Sequence, residues 1–239
     1  GTFAATDTDG TATQTYSIVA VGDNEASVDH DLFSVGAGGV LAFSSAPDFE
    51  NPGCGAGNNA NTCVVVIQVT DGANTDTITV TVTVQDLNDE TPAFTSSATP
   101  SINENVQNVV TLGASDADDG DSVSFAITGG ADEDLFEITG GTTLRFKAGA
   151  GANFEAPGDA DSGNDYVVIV TATDTGANSV AQTITASIQD VNEADPVFTA
   201  GATATATPNE NQQAVGTYAA TDADGSATQT YSILTSGQN

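Results

Sequence analysis

The chain has 239 residues and a formal net charge of −31, because 33 acidic residues face only two basic ones. With no basic patch to displace phosphate counterions, it is not expected to bind nucleic acid or an anionic membrane surface. No apolar run reaches the ~18 residues of a transmembrane helix, so membrane insertion is not expected either.

Three acidic pairs recur at intervals of 109 and 106 residues: Asp7/Asp9, Asp116/Asp118 and Asp222/Asp224. A short β-like segment follows each pair. Residues 1–19 also match residues 216–234 at 15 of 19 positions, so we expect a stretch of a longer tandem array. Carboxylates two positions apart favour Ca²⁺, which takes roughly six to eight oxygen ligands. Part of the acidity can also be a solvated surface that maintains solubility.

The two cysteines of the chain, Cys54 and Cys63, flank a segment rich in Gly and Asn. In an oxidising compartment this spacing predicts a disulfide that closes a small loop. The alternative is a pair of reduced thiols. A metal site is poorly supported, because the only histidine, His30, lies elsewhere in the sequence.

Alternation of β-branched residues with Thr at 77–84 and 182–188 predicts half-buried strands. An acidic linker with a Pro and a Phe follows each run, at 85–94 and 189–198, and the Pro prevents the strand from continuing. We therefore predict three segments: an incomplete repeat at 1–90, a complete repeat at 91–194, and the truncated start of a third at 195–239.

Within 91–194 the pattern predicts about seven short strands and no helix, which is typical of a Greek-key, Ig-like β-sandwich. The predicted strands are 100–103 with 107–113, 122–127, 134–139, 142–147, 165–173 and 179–189. The predicted core residues are Phe125, Ile127, Leu135, Phe136, Ile138, Leu144, Phe146, Val168, Val170, Ile184 and Ile188. The fold class is thus all-β, with tandem sandwiches.

Further acidic signatures recur in a fixed order in each period. They are Asn-Glu-Asn at 103–105 and 209–211, Asp-Phe-Glu at 48–50 with Asn-Phe-Glu at 153–155, a Thr-Asp at Asp71 and Asp174, and acidic linkers at 86–89 and 190–193. Together with the Asp-x-Asp pairs, this order resembles the extracellular cadherin repeat over essentially the whole chain. The scarcity of Lys and Arg is more similar to bacterial cadherin-like tandem repeats than to animal ones.

The resemblance implies calcium-binding linkers, with about three Ca²⁺ ions at each complete junction between repeats. The first junction would use Asp48, Glu50, Asp86, Asn88 and Asp89, opposite Asp116, Asp118 and Asp174, with backbone carbonyls of Leu87 and Glu90. The second would use Glu104, Glu155, Asp190, Asn192 and Glu193, opposite Asp222 and Asp224. Asp7, Asp9 and Asp71 would serve a preceding junction, and Glu210 a following one. Asn153 and Glu193 replace aspartates of the family pattern, which implies weaker binding of the outermost ion at the second junction.

Other chemistry has little support in the sequence. Residues 159–165 carry three aspartates that could bind a further calcium ion, or could form an exposed acidic loop. An EF-hand is rejected, because the acidic run at 116–121 lacks a glutamate at the twelfth position and flanking helices. There is no Ser-His-Asp set and no phosphate-binding Gly loop, so we do not expect an enzyme.

These observations predict a calcium-rigidified extracellular repeat protein that acts as a stalk, surface fibre or filament at the cell surface. Its expected partners are flanking repeats or further copies of itself. The alternative is an adhesion module that binds a surface carbohydrate or a partner protein through a sheet face or by strand addition.

Overall fold

The alternating runs of the sequence form strands in the computed structural model, which describes residues 1–8, 10, 13–20, 28–55, 57–225 and 228–234. By its internal contacts the chain divides into two units. Unit 1 comprises the described residues of Gly1–Glu90 and Ala117–Asp121, and unit 2 those of Thr91–Asp116 and Ser122–Asn239. No helix among the described residues is long and apolar enough to cross a membrane.

Unit 1 contains a three-stranded antiparallel sheet and a separate hairpin. The strands are β1 (Thr15–Ile18), β2 (Phe33–Gly36), β3 (Val40–Phe43), β4 (Thr62–Thr70) and β5 (Thr75–Thr83). The sheet order is β1-β4-β5, and β2 pairs with β3. A 3₁₀ turn at His30–Leu32 precedes β2. Val65 and Ile67 of β4 pack with Phe33 and Leu41 of the hairpin, so both sheets share one core.

Unit 2 contains two larger sheets and two short strand pairs. The strands are β6 (Ala93–Phe94), β7 (Ser101–Asn103), β8 (Asn108–Thr111), β9 (Ala114–Ser115), β10 (Ser124–Gly129), β11 (Phe136–Thr139), β12 (Thr143–Phe146), β13 (Asp165–Thr173), β14 (Ser179–Gln189), β15 (Val197–Phe198) and β16 (Ala220–Thr221). The two sheets have the orders β10-β13-β14-β7 and β11-β12-β8, and β6 pairs with β9 and β15 with β16. Among the described strands of unit 2, only the β14–β7 pair is parallel. A 3₁₀ turn at Glu133–Leu135 precedes β11.

The two larger sheets of unit 2 enclose an aromatic core. The Phe136 and Phe146 rings stack at 4.7 Å, and Tyr166 of the opposite sheet meets Phe146 edge-on at 5.0 Å. Every core residue predicted from the sequence lies in this cluster. The prediction of an all-β sandwich fold is therefore confirmed. The boundaries 1–90, 91–194 and 195–239 stay a prediction.

The predicted disulfide joins Cys54 and Cys63, both of which are buried. The Asp29 carboxylate accepts hydrogen bonds from the amides of Gly55 and Val64, both at 2.6 Å. It therefore holds the same two points of the chain as the disulfide.

Unit 2 repeats this clamp without cysteines. The buried Asp132 accepts hydrogen bonds from the amides of Ala160 and Val167, both at 2.7 Å. The corresponding register places Asp159 and Tyr166 at the positions of Cys54 and Cys63. Sequence reasoning did not single out either clamping aspartate.

Candidate metal centres

Unit 1 gathers three carboxylates from distant parts of its sequence. Oxygens of Glu50, Asp86 and Asp118 lie within 4.8 Å of one another. Backbone amides hold two of them: Asp86 Oδ2 accepts the Asp119 amide at 2.8 Å, and Asp118 Oδ2 accepts the Glu90 amide at 3.1 Å. Glu50 Oε1 is buried and has no hydrogen-bond partner among the described residues. The amides therefore fix the carboxylates while leaving Glu50 Oε1 available to a cation.

A second group in unit 1 shares Glu50 with the first. Oxygens of Glu50, Asp89 and Glu90 also lie within 4.8 Å of one another. Asn88 Nδ2 donates to Asp121 Oδ2 at 2.8 Å.

The side chains of Glu90 and Asp121 were not predicted. Their positions beside the linker acids and beside the Asp116/Asp118 pair are the only sequence signal that could have suggested them.

Unit 2 contains two carboxylate groups that share Glu155. One comprises Glu104, Glu155 and Glu193, and the other Glu155, Asp190 and Asp224, in each case with oxygens within 4.8 Å of one another. Asn105 Nδ2 donates to Glu193 Oε1 at 3.2 Å. Glu104 and Glu193 lie 89 positions apart in the sequence, and Glu155 and Asp224 lie 69 apart, yet their oxygens converge.

The innermost carboxylates of unit 2 are nearly inaccessible to solvent. Glu104 is 2% exposed and accepts the amides of Phe154 at 3.0 Å and Val191 at 2.9 Å. Asp224 is 1% exposed, and its Oδ2 accepts the Ala194 amide at 2.7 Å. Asp224 Oδ1 is buried with no hydrogen-bond partner among the described residues. Burial of an unsatisfied carboxylate oxygen is costly unless a cation compensates it.

The electrostatics of these groups reflect crowded negative charge. Burial raises the pKa of Glu193, and the nearby Glu104 charge raises it further. Burial raises the pKa of Glu50 too, and the charges of Asp86 and Asp118 add to this effect. Burial alone would also raise the pKa of Glu104, but the amides of Phe154 and Val191 outweigh it and lower that pKa.

Glu155 belongs to both groups of unit 2, and opposing effects act on it. A hydrogen bond from its own amide lowers its pKa, but burial and the charges of Glu104, Asp224 and Asp190 together raise it. The negative charges of both groups therefore repel the charge of Glu155, the residue that the two groups share.

The remaining predicted ligands occupy other settings. Asp174 closes the turn after β13, accepting the Asn178 amide at 2.7 Å, and Asp71 does the same after β4 with the Ala73 and Asn74 amides at 2.7 and 2.6 Å. Those amides lower the pKa of Asp71. Asp48 Oδ1 accepts the Asn51 amide at 2.9 Å. Within unit 2, oxygens of Asp116 and Asp174 lie within 4.8 Å of each other. Four further predicted ligands are described without a place in a carboxylate group: Asp7, half-buried; Asn192 and Glu210, exposed; and Asp222, whose Oδ1 accepts the Asp224 amide. Asp9 lies outside the described residues.

The donor set of the four groups consists entirely of carboxylate oxygens. Oxygen donors suit hard cations such as Ca²⁺ and Mg²⁺ rather than the softer metals that favour thiolate or imidazole. The buried oxygens of Glu50 and Asp224 fit a divalent cation by the same criterion. What the structure shows is the clustering of acidic groups, and their role as metal ligands stays a prediction.

Comparison with solved structures identifies the fold of the chain. Human protocadherin-24 EC1-2 matches with a TM-score of 0.61 and 22% identity over 80% of this chain and 88% of the other. Human CDH23 EC21-23 matches with a TM-score of 0.57 and 20% identity over 90% and 70%. The chain has a cadherin-like fold. Protocadherin gammaB7 EC3-6, solved as a cis-dimer, matches with a TM-score of 0.54 and 22% identity over 90% of this chain and 49% of the other.

No protein-family model and no curated protein matches the chain. At these identities the cadherin-like neighbours establish the fold alone, and the similarity to bacterial cadherin-like repeats stays a prediction.

Proposed function

We propose that this chain is a calcium-binding structural and adhesive segment of an extracellular repeat protein. The observation that carries the proposal is the group of Glu155, Asp190 and Asp224, in which Asp224 is 1% exposed and its Oδ1 has no hydrogen-bond partner among the described residues. A divalent cation would offset two of the three negative charges of this group and supply the missing partner of Asp224 Oδ1. Glu50 Oε1 poses the same requirement in unit 1.

Charge repulsion gives calcium a mechanical role. Two carboxylates ~4 Å apart repel by about 4 kcal/mol at an effective dielectric of ~20, before salt screening. Each group of three carboxylates is therefore destabilised without metal, and a cation converts the repulsion into attraction. In an array of repeats, calcium bound at the linkers would hold successive repeats in a narrow range of arrangements, as a stalk, fibre or filament requires.

The direct test is the calcium content of the whole chain, measured by native mass spectrometry and calorimetry. We expect about three ions per complete junction, as the resemblance to the extracellular cadherin repeat implies. Changing Glu155→Gln together with Asp190→Asn should remove ions from unit 2 alone. A control variant, Glu133→Gln with Asp134→Asn, removes two exposed charges from the same unit and should bind calcium like the unmodified chain. Equal calcium content in all three proteins would contradict the proposal.

A second candidate function is binding of a carbohydrate or a partner protein. Three exposed aromatic residues of unit 2, Phe198, Tyr218 and Tyr231, line a cavity of about 390 Å³. Aromatic faces of this kind stack on sugar rings. However, the Phe198–Tyr231 pair, at 6.2 Å, repeats the Phe94–Phe125 pair, at 5.8 Å, and Phe94 and Phe125 pack against the sandwich core. The repeat favours a structural role, and a glycan array with the unmodified chain and Tyr218→Ala tests the alternative.

Self-association through further copies belongs to the same proposal. The protocadherin gammaB7 neighbour was solved as a cis-dimer, which is consistent with self-association. Light scattering at millimolar calcium measures whether the chain associates.

A further inference from the structure

The loop between Glu155 and β13 in unit 2 brings two aspartates to one amide. Asp159 Oδ2 and Asp161 Oδ1 both accept a hydrogen bond from the Gly163 amide, at 2.8 and 3.1 Å. Two carboxylates that share one donor repel each other, and a single neutral N–H compensates little of that repulsion. The arrangement therefore concentrates negative charge at one side of Gly163.

The second oxygen of Asp159 is the unusual feature of this loop. Asp159 is only 7% exposed, and its Oδ1 is buried with no hydrogen-bond partner among the described residues. The nearby Tyr166 hydroxyl accepts the Gly158 amide at 2.9 Å, and no hydrogen bond joins it to Asp159 Oδ1 in the structure. A buried charged oxygen without a partner costs folding free energy. Something outside the described protein atoms must offset that cost.

A basic side chain cannot provide the compensation. The chain has only two, Arg145 and Lys147. Arg145 Nη2 pairs with Glu137 at 2.8 Å, and Lys147 Nζ donates to the Asp134 carbonyl at 2.7 Å. Both are engaged on the opposite sheet, which leaves a bound cation or a proton for Asp159.

In unit 1 the loop position that corresponds to Asp159 carries no charge. Asn61 and Asn164 make the same hydrogen bond in the two units, from Nδ2 to the carbonyls of Phe49 and Phe154, at 2.9 and 2.8 Å. The loop frame is thus shared, but Cys54 occupies the position of Asp159 and forms the disulfide. In unit 1 a covalent bond ties this loop to the adjacent strand, and in unit 2 a carboxylate takes the place of one sulfur.

We propose that Asp159 and Asp161 bind a divalent cation, calcium, that fastens this loop in unit 2 as the disulfide does in unit 1. Asp159 Oδ1 and the second oxygen of Asp161 are the protein ligands, and water completes the coordination shell. With only two carboxylates the site is weak, with a dissociation constant of about 10⁻⁴ to 10⁻³ M, as in extracellular calcium modules. The site shares no residue with the four carboxylate groups above.

The test compares the whole chain with Asp159→Asn plus Asp161→Asn, and with the control Glu133→Gln plus Asp134→Asn. Native mass spectrometry in millimolar calcium should show one ion fewer in the first variant and no change in the control. In chelator the first variant should melt at or above the unmodified chain, because it no longer buries an unpaired charge. In calcium it should melt below. A purely structural or protonated Asp159 predicts the same stability difference in both conditions and would overturn the proposal.

Two further measurements keep the result unambiguous. Asp161→Asn alone changes an exposed side chain, so it should fold normally and still weaken binding at this site. An Asp161→Asn protein with unchanged calcium titration overturns the proposal even if the double variant does not fold. Ions lost only in Glu155→Gln plus Asp190→Asn would overturn this site and leave the proposed function standing, and ions lost only in the Asp159 and Asp161 variants would do the reverse.

Discussion

At the scale of single residues, buried aspartates do two different jobs in this chain. Asp29 and Asp132 each satisfy both carboxylate oxygens with backbone amides, whereas Asp159 and Asp224 each leave Oδ1 without a partner among the described residues. The first pair stabilises the fold directly. We propose that the second pair binds a cation.

The Asp132 clamp should be a major source of stability in unit 2. Asp132→Ala removes two charge-assisted hydrogen bonds from the amides of Ala160 and Val167, so we expect a loss of about 2–4 kcal/mol in the free energy of unfolding. Urea denaturation in the presence of calcium measures it, with Asp134→Asn as the exposed control. A loss no larger than that of the control would show that the clamp is not needed.

Glu193 should make stability depend on pH in the absence of calcium. Its pKa is raised, first by burial and then by the Glu104 charge, so the folded chain holds this proton more tightly than the unfolded chain. The contribution is therefore favourable at low pH and is lost as pH rises from the usual glutamate pKa through the raised one. Relative to Glu193→Gln, the unmodified chain in chelator should lose stability as the pH rises above the usual glutamate pKa of about 4.3. Unfolding curves across this range give the difference, and a flat difference would count against the crowding described here.

At the scale of elements, the long strands were predictable and the short ones were not. β13 and β14 have the predicted bounds 165–173 and 179–189, because alternating β-branched residues signal a strand when the run is long. The predicted strand 107–113 is shortened to β8, and the separate strand β9 begins after Gly113, where an added Cβ would lie 2.8 Å from Thr95 Oγ1. The predicted strand 122–127 is instead β10, which begins at Ser124 and continues to Gly129 through a bulge between Ile127 and Gly129.

The disulfide should stabilise unit 1 alone. Cys54→Ala with Cys63→Ala opens a small loop, for which chain entropy predicts a loss of about 3 kcal/mol. Calorimetry should show a lower melting transition for unit 1, with the transition of unit 2 unchanged. The Asp29 clamp remains in this variant and should keep unit 1 folded. If both transitions shift equally, the assignment of the disulfide to a local role is wrong.

The candidate sites show the same division between what could and could not be predicted. Glu104, Glu155, Asp190, Glu193 and Asp224 were found from signatures that recur at a fixed period, and the structure brings their oxygens together. Asp29 and Asp132 were missed because their partners are backbone amides as many as 35 residues away, which no side-chain pattern marks. The burial of Asp159 could be learned only from the structure, since nothing in the sequence distinguishes Asp159 from the exposed Asp161.

At the scale of the whole molecule, calcium binding would account for both the net charge of −31 and the clustering of acidic residues. Each bound calcium ion cancels two charges where repulsion is greatest, so metal binding and the arrangement of repeats should be coupled. We propose that this coupling operates in the array in solution.

Small-angle X-ray scattering of the whole chain, with calcium and with chelator, tests directly whether calcium binding and the arrangement of repeats are coupled. The unmodified chain should give a narrower distribution of dimensions and a longer maximum dimension in calcium. Glu155→Gln with Asp190→Asn should reduce this response, and the control Glu133→Gln with Asp134→Asn should retain it. Identical scattering profiles with calcium and with chelator would contradict the account.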